Sequence, residues 1–230
     1  MAATAISVII PTLNEAESIG ELLAAVTKLD GITEVIVVDG GSTDDTAELA
    51  AAFGARVIHS ARGRGSQMHA GAQSAGGDVL WFIHADTIPE IDTIDQISNA
   101  LENPRAVAGN FAIRFDGSRF AARFLTWLYP KLRLLGLIYG DSAIFVRRDV
   151  YERVGGFRPF PIFEDLDLIG RLKKEGEVVT LPARVHTSSR RFENRSFALT
   201  FLRWIFLQLL YWFGVSPERL GKMYLPLRSK

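Results

Sequence analysis

The chain of 230 residues contains no cysteine. That removes disulfide frameworks, cysteine nucleophiles and thiolate metal sites, and it fits a reducing cytoplasm. It also carries no net charge, because 26 Lys and Arg offset 26 Asp and Glu. The uniform basic field that general nucleic-acid binding needs is therefore missing, and no nucleic-acid partner is expected. No Gly/Ser-rich or Pro-rich tract and no internal repeat divides the sequence, so a single domain is expected. The opening MAATAISVIIPTLNE has no basic stretch ahead of its apolar run and no small-residue cleavage site after it, so no secretory leader is expected. Neither G-x-G-x-x-G nor G-x-x-x-x-G-K-[ST] follows the first apolar run, which argues against nicotinamide and P-loop chemistry.

What is present is a globular composition, 48% hydrophobic and 23% charged, enough for a packed core. Charge is unevenly spread: residues 1–60 hold nine acidic side chains against Lys28 and Arg56, and residues 184–230 hold nine basic ones against Glu193 and Glu218. The apolar, β-branched run Ala5 to Ile10, ended by Pro11, predicts a buried strand. Asn14 and Glu17 have the spacing of a capping box, and Ile19, Leu22, Leu23 and Val26 then recur at helical intervals. Strand Glu34 to Val38, helix Asp44 to Phe53 opened by Ser42 or Thr43, and strand Ala55 to His59 continue the alternation. A Gly-rich loop from Arg62 to Gly65, a helix near Ser66 to Ala75 and strand Asp78 to Ile83 follow. This βα alternation predicts a mostly parallel sheet with helices on both faces. Beyond it the pattern loosens into helix Ile91 to Leu101, strand Ala106 to Phe115, aromatic helix Phe120 to Leu135 and strands Ala143 to Val146 and Glu177 to Leu181.

Ligands in open α/β sheets bind beyond the carboxyl ends of parallel strands. Here those ends carry Pro11 to Glu15, Asp39 to Asp45 and His84-Ala85-Asp86, three polar turns on one edge. A carboxylate such as Asp86 among other oxygens suits Mg²⁺ or Mn²⁺ bridging a diphosphate, since hard cations take carboxylate and phosphate oxygens together.

IPTLNEAESI (10–19), VVDGGSTDDT (37–46), the Gly-rich basic loop, FIHADT (82–87) and FEDLDLIGRLKKEG (163–176) stand in the order found in family 2 glycosyltransferases, which the chain resembles over roughly residues 5–180. The resemblance implies a GT-A fold, a Rossmann-like three-layer α/β sandwich over residues 1–195, with 196–230 as a helical extension. It also implies a nucleotide-diphosphate sugar donor, UDP-sugar favoured, a divalent cation, and inversion by direct displacement onto a hydroxyl or carboxyl of a small or lipid-like acceptor. Carried over by position, Pro11, Thr12 and Glu15 form the first nucleotide loop, Asp39 accepts a hydrogen bond from the base, and Arg64 reaches the base or phosphates. His84-Ala85-Asp86 resembles the D-x-D motif with histidine first, and Asp86 is the metal contact. His84 is a candidate ligand or ribose contact. Glu164-Asp165 resembles the Glu-Asp pair that supplies the base; Asp165 is the first choice and Glu164 the second. His186 is a candidate second metal ligand. Asp141 is a candidate donor-sugar or acceptor contact, and Arg190 and Arg191 are candidates to neutralise the departing diphosphate. Two other readings stay open: a nucleotide-sugar-binding protein that has lost catalysis, favoured by the altered D-x-D, and a nucleotidyltransferase.

Ser196 to Val215 is about as long as a membrane span, yet Arg203 near its centre would cost about 2.5–3.5 kcal/mol on insertion. Peripheral contact with the inner face of the membrane, a homodimer contact, or packing on the domain itself is expected instead.

Overall fold

The computed structural model describes residues 4–116, 120–134, 136–188 and 197–224. The chain runs β1 (Ile6–Thr12), α1 (Ala16–Val26), β2 (Ile32–Asp39), α2 (Thr46–Ala52), β3 (Arg56–His59), α3 (Arg64–Ser74), β4 (Val79–Phe82), β5 (Thr87–Pro89), α4 (Thr93–Leu101), β6 (Ala106–Asp116) and α5 (Phe120–Leu134). A 3-10 turn (Gly140–Ser142), β7 (Phe145–Arg147), α6 (Arg148–Arg153), α7 (Glu164–Leu172), β8 (Glu177–Ser188), α8 (Phe197–Trp212) and α9 (Pro217–Tyr224) complete it. The strands form one eight-stranded sheet in the order β3-β2-β1-β4-β7-β6-β8-β5. The β1–β2, β1–β4, β2–β3 and β6–β8 pairs are parallel, and the short strands β5 and β7 pair antiparallel.

β1 is central and buried along its whole length, which is why its sequence is mostly apolar, with Ser7 and Thr12 as its polar members, instead of an alternation. It extends to Thr12, past the stop expected at Pro11. The β4 ladder ends at the Ile9–Phe82 pair, so Pro11 has only β2 beside it, an edge-like position where proline is tolerated. One core lies between the sheet and α1, α2, α4 and α5, with Ile19, Leu22, Ile97 and Leu125 against Ile10, Trp81 and Phe111. The second lies between the other face and α3, α6 and α7, with Met68, Val150 and Leu168 against Ile9, Leu80 and Phe82. Three layers result. A Cβ on Gly71 would stand 2.4 Å from Ile9 Cγ2 and 2.9 Å from Val38 Cγ2, so only glycine lets α3 sit this close to the ends of β1 and β2. α8 and α9 form a third cluster on the segment before α7, with Leu207 and Leu220 against Ile162 and Phe163.

Candidate functional site

The turns after β1 and β2 are stitched together by side chains acting on backbone. Asn14 has a left-handed φ of 54°, a conformation asparagine tolerates. Its Oδ1 accepts from Thr43 N at 2.8 Å, and its own N–H donates to Ser42 Oγ at 2.9 Å. Glu15 N donates to Thr46 Oγ1 at 2.9 Å and Ala16 N to Asp44 Oδ2 at 3.2 Å. The expected Asn14–Glu17 capping box does not form: α1 is capped at Glu15 without a side-chain bond, because Asn14 is committed to the neighbouring turn. Likewise α2 starts at Thr46, two residues later than expected, because Ser42 and Asp44 serve these turns.

Asp39 is 3% exposed. Its carboxylate accepts from Gly41 N at 3.0 Å, Ser42 N at 3.0 Å and the Ser42 hydroxyl. Burial alone would raise its pKa, but the Ser42 and Gly41 donors and His59 outweigh it and hold the group below its usual range. The residue assigned to the base thus spends most of its accepting capacity on its own loop. A cleft of about 270 Å³ opens beside these turns, lined by Thr12, Asn14, Glu15, Arg64, His84 and Asp86 among others. Pro11 and Ala85 line it too, and Asp39 does not.

The 3-10 turn Gly140–Ser142 reaches this cleft only through His84, which lines it. Asp141 Oδ1 lies 3.1 Å from His84 Nδ1. A carboxylate can only accept, so that nitrogen carries the proton, and Nε2 is left as the metal-binding or accepting atom of a neutral ring. One residue earlier, Gly140 N donates to Asp165 Oδ2 at 2.6 Å. Asp165 Oδ1 accepts from Leu166 N at 2.7 Å. Burial, then the neighbouring Glu164, pushes the Asp165 pKa up to about 7 against the pull of these two N–H donors. Glu164 itself is 8% exposed. The turn thus holds the histidine of the H-A-D segment at one end and the proposed base at the other.

Both flanks of this machinery are held in left-handed backbone. Among the described residues the non-glycine positions with positive φ are Asn14, Ala143 and Phe163. They sit in the turn after β1, at the end of the 3-10 turn and at the start of α7. Such conformations persist only where the surroundings impose them. Phe163, whose φ of 64° aims Glu164 and Asp165, is clamped by Tyr211 of α8 at a ring distance of 4.9 Å. At Gly65 a Cβ would meet Arg158 O at 2.3 Å, which brings the start of α3, and Arg64, against the same segment. Arg64 is the first residue of α3, where a loop position was expected.

On the Asp165 side lies a second cavity of about 1080 Å³. Tyr129, Tyr139, Phe163, Phe201, Trp204 and Leu207 contribute apolar wall, and Arg62, Arg64, Asp141 and Asp165 contribute its polar end. Tyr139 packs against Trp204 at a ring distance of 4.8 Å, the planes tilted by 56°, and donates its hydroxyl to Gln208 Oε1 at 3.2 Å. Burial, with Asp165 nearby, keeps that phenol well above its ordinary pKa, so it stays a donor.

His186 stands opposite Ile88 in the β5–β8 ladder. Its Nε2 is 3.5 Å from Glu90 Oε1 and its Nδ1 is 3.5 Å from Asp116 Oδ1. It does not line the cleft that Asp86 lines, and among the described residues no group of three or more His, Asp or Glu is spaced to hold a metal alone. Arg190 and Arg191 lie outside the described residues. Sequence reasoning missed Gln67, which is 3% exposed and donates from Nε2 to Thr12 O at 2.7 Å and Val38 O at 2.8 Å, tying the ends of β1 and β2. A glutamine beside Met68 on an otherwise sheet-facing helix was the available signal. It also missed Tyr139 and Trp204, whose significance depends on contacts across distant segments.

The family model described as Glycosyl transferase family 2 matches residues 7–155. An uncharacterized glycosyltransferase of Mycobacterium tuberculosis is 44% identical over 87 residues, 37% of this chain and 38% of that protein. A PGL/p-HBAD biosynthesis glycosyltransferase of M. tuberculosis is 32% identical over 170 residues, 68% of this chain and 64% of that protein. The aligned regions therefore span less than two thirds of these relatives' own length. Glucosyl-3-phosphoglycerate synthase of M. tuberculosis, solved with Mn²⁺ and uridine-diphosphate-glucose, superposes with a TM-score of 0.63 and 25% identity, covering 94% of this chain and 81% of that one. S. aureus TarS, solved with UDP-GlcNAc, superposes with a TM-score of 0.66 at 17% identity, covering 84% of this chain and 60% of that one.

Proposed function

Because the chain belongs to glycosyl transferase family 2 and has the α/β GT-A fold, we propose that it is an inverting transferase that moves a sugar from a nucleotide diphosphate, UDP favoured, to the hydroxyl of a small or lipid-like acceptor. The observation that carries this reading is the position of Asp165, in the wall of a large apolar cavity that shares Arg62, Gly63 and Arg64 with the small polar cleft, with its pKa raised to about 7. A base near neutrality is matched to taking a proton at physiological pH. In-line inversion needs donor and acceptor on opposite sides of the reacting carbon, and a polar and an apolar cavity that adjoin at Arg62, Gly63 and Arg64 fit that need.

In this reading the nucleotide lies against the turn that Asp39 organises, between Pro11, Thr12 and Glu15, and Arg64 faces the diphosphate as a charge-assisted donor. The cleft's donor chemistry fits a divalent cation, Mn²⁺ or Mg²⁺: Asp86 is a hard carboxylate ligand, and the Nε2 of His84, freed by the bond to Asp141, is a borderline one. His186, the other proposed ligand, would have to exchange Glu90 and Asp116 for the ion. Bound there, a cation supplies charge neutralisation to the departing diphosphate. Asp165 takes the acceptor proton, Glu164 keeps its affinity for that proton high, and Asp141 orients His84. The neighbours solved with UDP-sugars support the donor class.

A thermal-shift panel tests the reading. Uridine diphosphate and UDP-sugars with Mn²⁺ should raise the melting temperature, since a ligand bound only by the folded state stabilises by mass action. A chain stabilised by no nucleotide diphosphate, with or without metal, would sink it.

A further inference from the structure

α8 is apolar on all sides apart from Thr200, Arg203 and Gln208, and a helix of that kind needs cover all round. Its inner side has cover: Phe197 and Phe201 pack on Phe124 of α5 at 5.8 and 5.5 Å, and Trp204 packs on Tyr139. Among the described residues its outer side has none. Leu199, Leu202, Phe206 and Leu209 recur at i, i+3, i+7 and i+10, and all are exposed, as is Phe213 just beyond the helix. α5 extends the patch with Phe120, Trp127 and Leu134, the last 88% exposed. Monomers rarely leave such an apolar face in water, and a face of this kind marks a protein or membrane contact.

The charges name the partner. Arg123 and Lys131 are exposed on α5, Arg203 is half-buried on α8, and neither Phe120–Leu134 nor Phe197–Trp212 contains an acidic residue. Lys131 lies 3.6 Å over the Trp127 ring, an aromatic and cationic pairing suited to a lipid headgroup layer. Among the described residues no helix is long and apolar enough to cross a membrane; at 16 residues α8 is about 24 Å long against a hydrocarbon core of about 30 Å.

The same two helices are also the wall of the cavity beside Asp165, through Tyr129 and Leu132 from α5 and Phe201, Trp204 and Leu207 from α8. We propose that the α5–α8 face rests on an anionic bilayer and that the cavity takes its acceptor from that bilayer, an amphiphilic alcohol whose chain lies along Tyr129 and Trp204 and whose hydroxyl reaches Asp165. This rests on the transferase reading above and specifies its acceptor. The hydroxyl oxygen forms the new bond to the anomeric carbon, the bond from that carbon to the diphosphate breaks with its electron pair leaving on the nucleotide, and the hydroxyl proton passes to Asp165.

Co-sedimentation of the full chain with phosphatidylcholine vesicles, with and without phosphatidylglycerol, tests the surface. Binding to the mixed vesicles should exceed binding to the neutral ones at least tenfold, fall in high salt, and drop at least tenfold in Leu202→Glu/Phe206→Glu, with circular dichroism unchanged. The cavity is tested with the fluorescent amphiphile parinaric acid below its aggregation threshold. Leu202→Glu/Phe206→Glu should bind it as the wild type does, and Thr200→Trp or Leu132→Trp, which fill the cavity, should bind it at least tenfold more weakly while still sedimenting with vesicles. Equal binding to neutral and anionic vesicles, parinaric acid binding unaffected by both filling variants, or a solution dimer that Leu202→Glu/Phe206→Glu splits into monomers would overturn the proposal. None of these readouts needs a donor, so failure of the transferase reading shows separately, as a wild-type chain that binds no uridine diphosphate.

Discussion

The two cavities, which adjoin at Arg62, Gly63 and Arg64, are built in opposite ways. The cleft beside Asp86, about 270 Å³, is made of strand-end turns whose shape is set by hydrogen bonds from side chains to backbone within and between neighbouring turns. The cavity beside Asp165, about 1080 Å³, is gathered from α5, the 3-10 turn, the segment 159–165, α8 and α9, and its walls are rings stacked across long stretches of chain. The first construction fixes polar atoms to a fraction of an ångström and suits a charged ligand of constant shape. The second excludes water without fixing direction, which suits an apolar ligand of variable shape.

The contrast breaks most sharply at Asp165, in the wall of the larger cavity. Asp165→Asn should cut transfer by about 10²- to 10⁴-fold with donor affinity nearly intact, the range a general base contributes, and Glu164→Gln should cost less; the reverse ranking in steady-state assays would move the base to Glu164. Wild-type transfer should climb with pH up to about 7, the raised Asp165 value, and then level off. That raised value means the folded chain holds a proton the unfolded chain releases, so the Asp165 contribution to stability falls between about pH 4 and pH 7. Melting curves at pH 5.5 and 8 should show a larger loss in the wild type than in Asp165→Asn.

On the polar side, Asp86→Ala should abolish the Mn²⁺-dependent part of uridine diphosphate affinity in titration calorimetry while the melting temperature of the free protein barely moves, because the side chain lines a cleft and fills no core. Unchanged metal-dependent affinity would remove the assignment. Asn14→Ala should cost about 1–2 kcal/mol of stability, since alanine loses the Thr43 bond and adopts φ 54° at a penalty; Asn14→Gly, which removes the penalty, should cost less in denaturant titrations. Smallest is Tyr139→Phe on the apolar side. It removes one neutral hydrogen bond to Gln208, worth about 1 kcal/mol, and should leave donor binding untouched.

The same contrast explains what could be read from the sequence. β1, β2, β4 and the turns after them are contiguous signals: Ile6–Ile10 is apolar but for Ser7, and the polar cluster follows at once, so fold class and cleft were legible. The alternating half of the chain was legible for the same reason. Helix starts were misplaced at Ser42 and Asn14 because those side chains, ordinary caps in isolation, bond a turn 28 or 29 residues away. His186 has the chemistry of a ligand, but which carboxylates face it depends on the β5–β8 register. The apolar cavity left no local signature, since Tyr139, Phe163 and Trp204 are single aromatics in unrelated contexts until α8 folds back over them.

The 3-10 turn also makes the two halves answer to each other. Gly140 and Asp141 are adjacent, so a donor that draws on His84 tugs Asp141 and, through one peptide unit, the N–H that Asp165 accepts. Any free energy that donor binding places on the Asp165 bond must reappear, equal in size, when an acceptor binds first, because coupling between sites is reciprocal. Donor and acceptor are therefore expected to change each other's affinity by the same factor, and calorimetric titration of each ligand in the presence of the other would measure it.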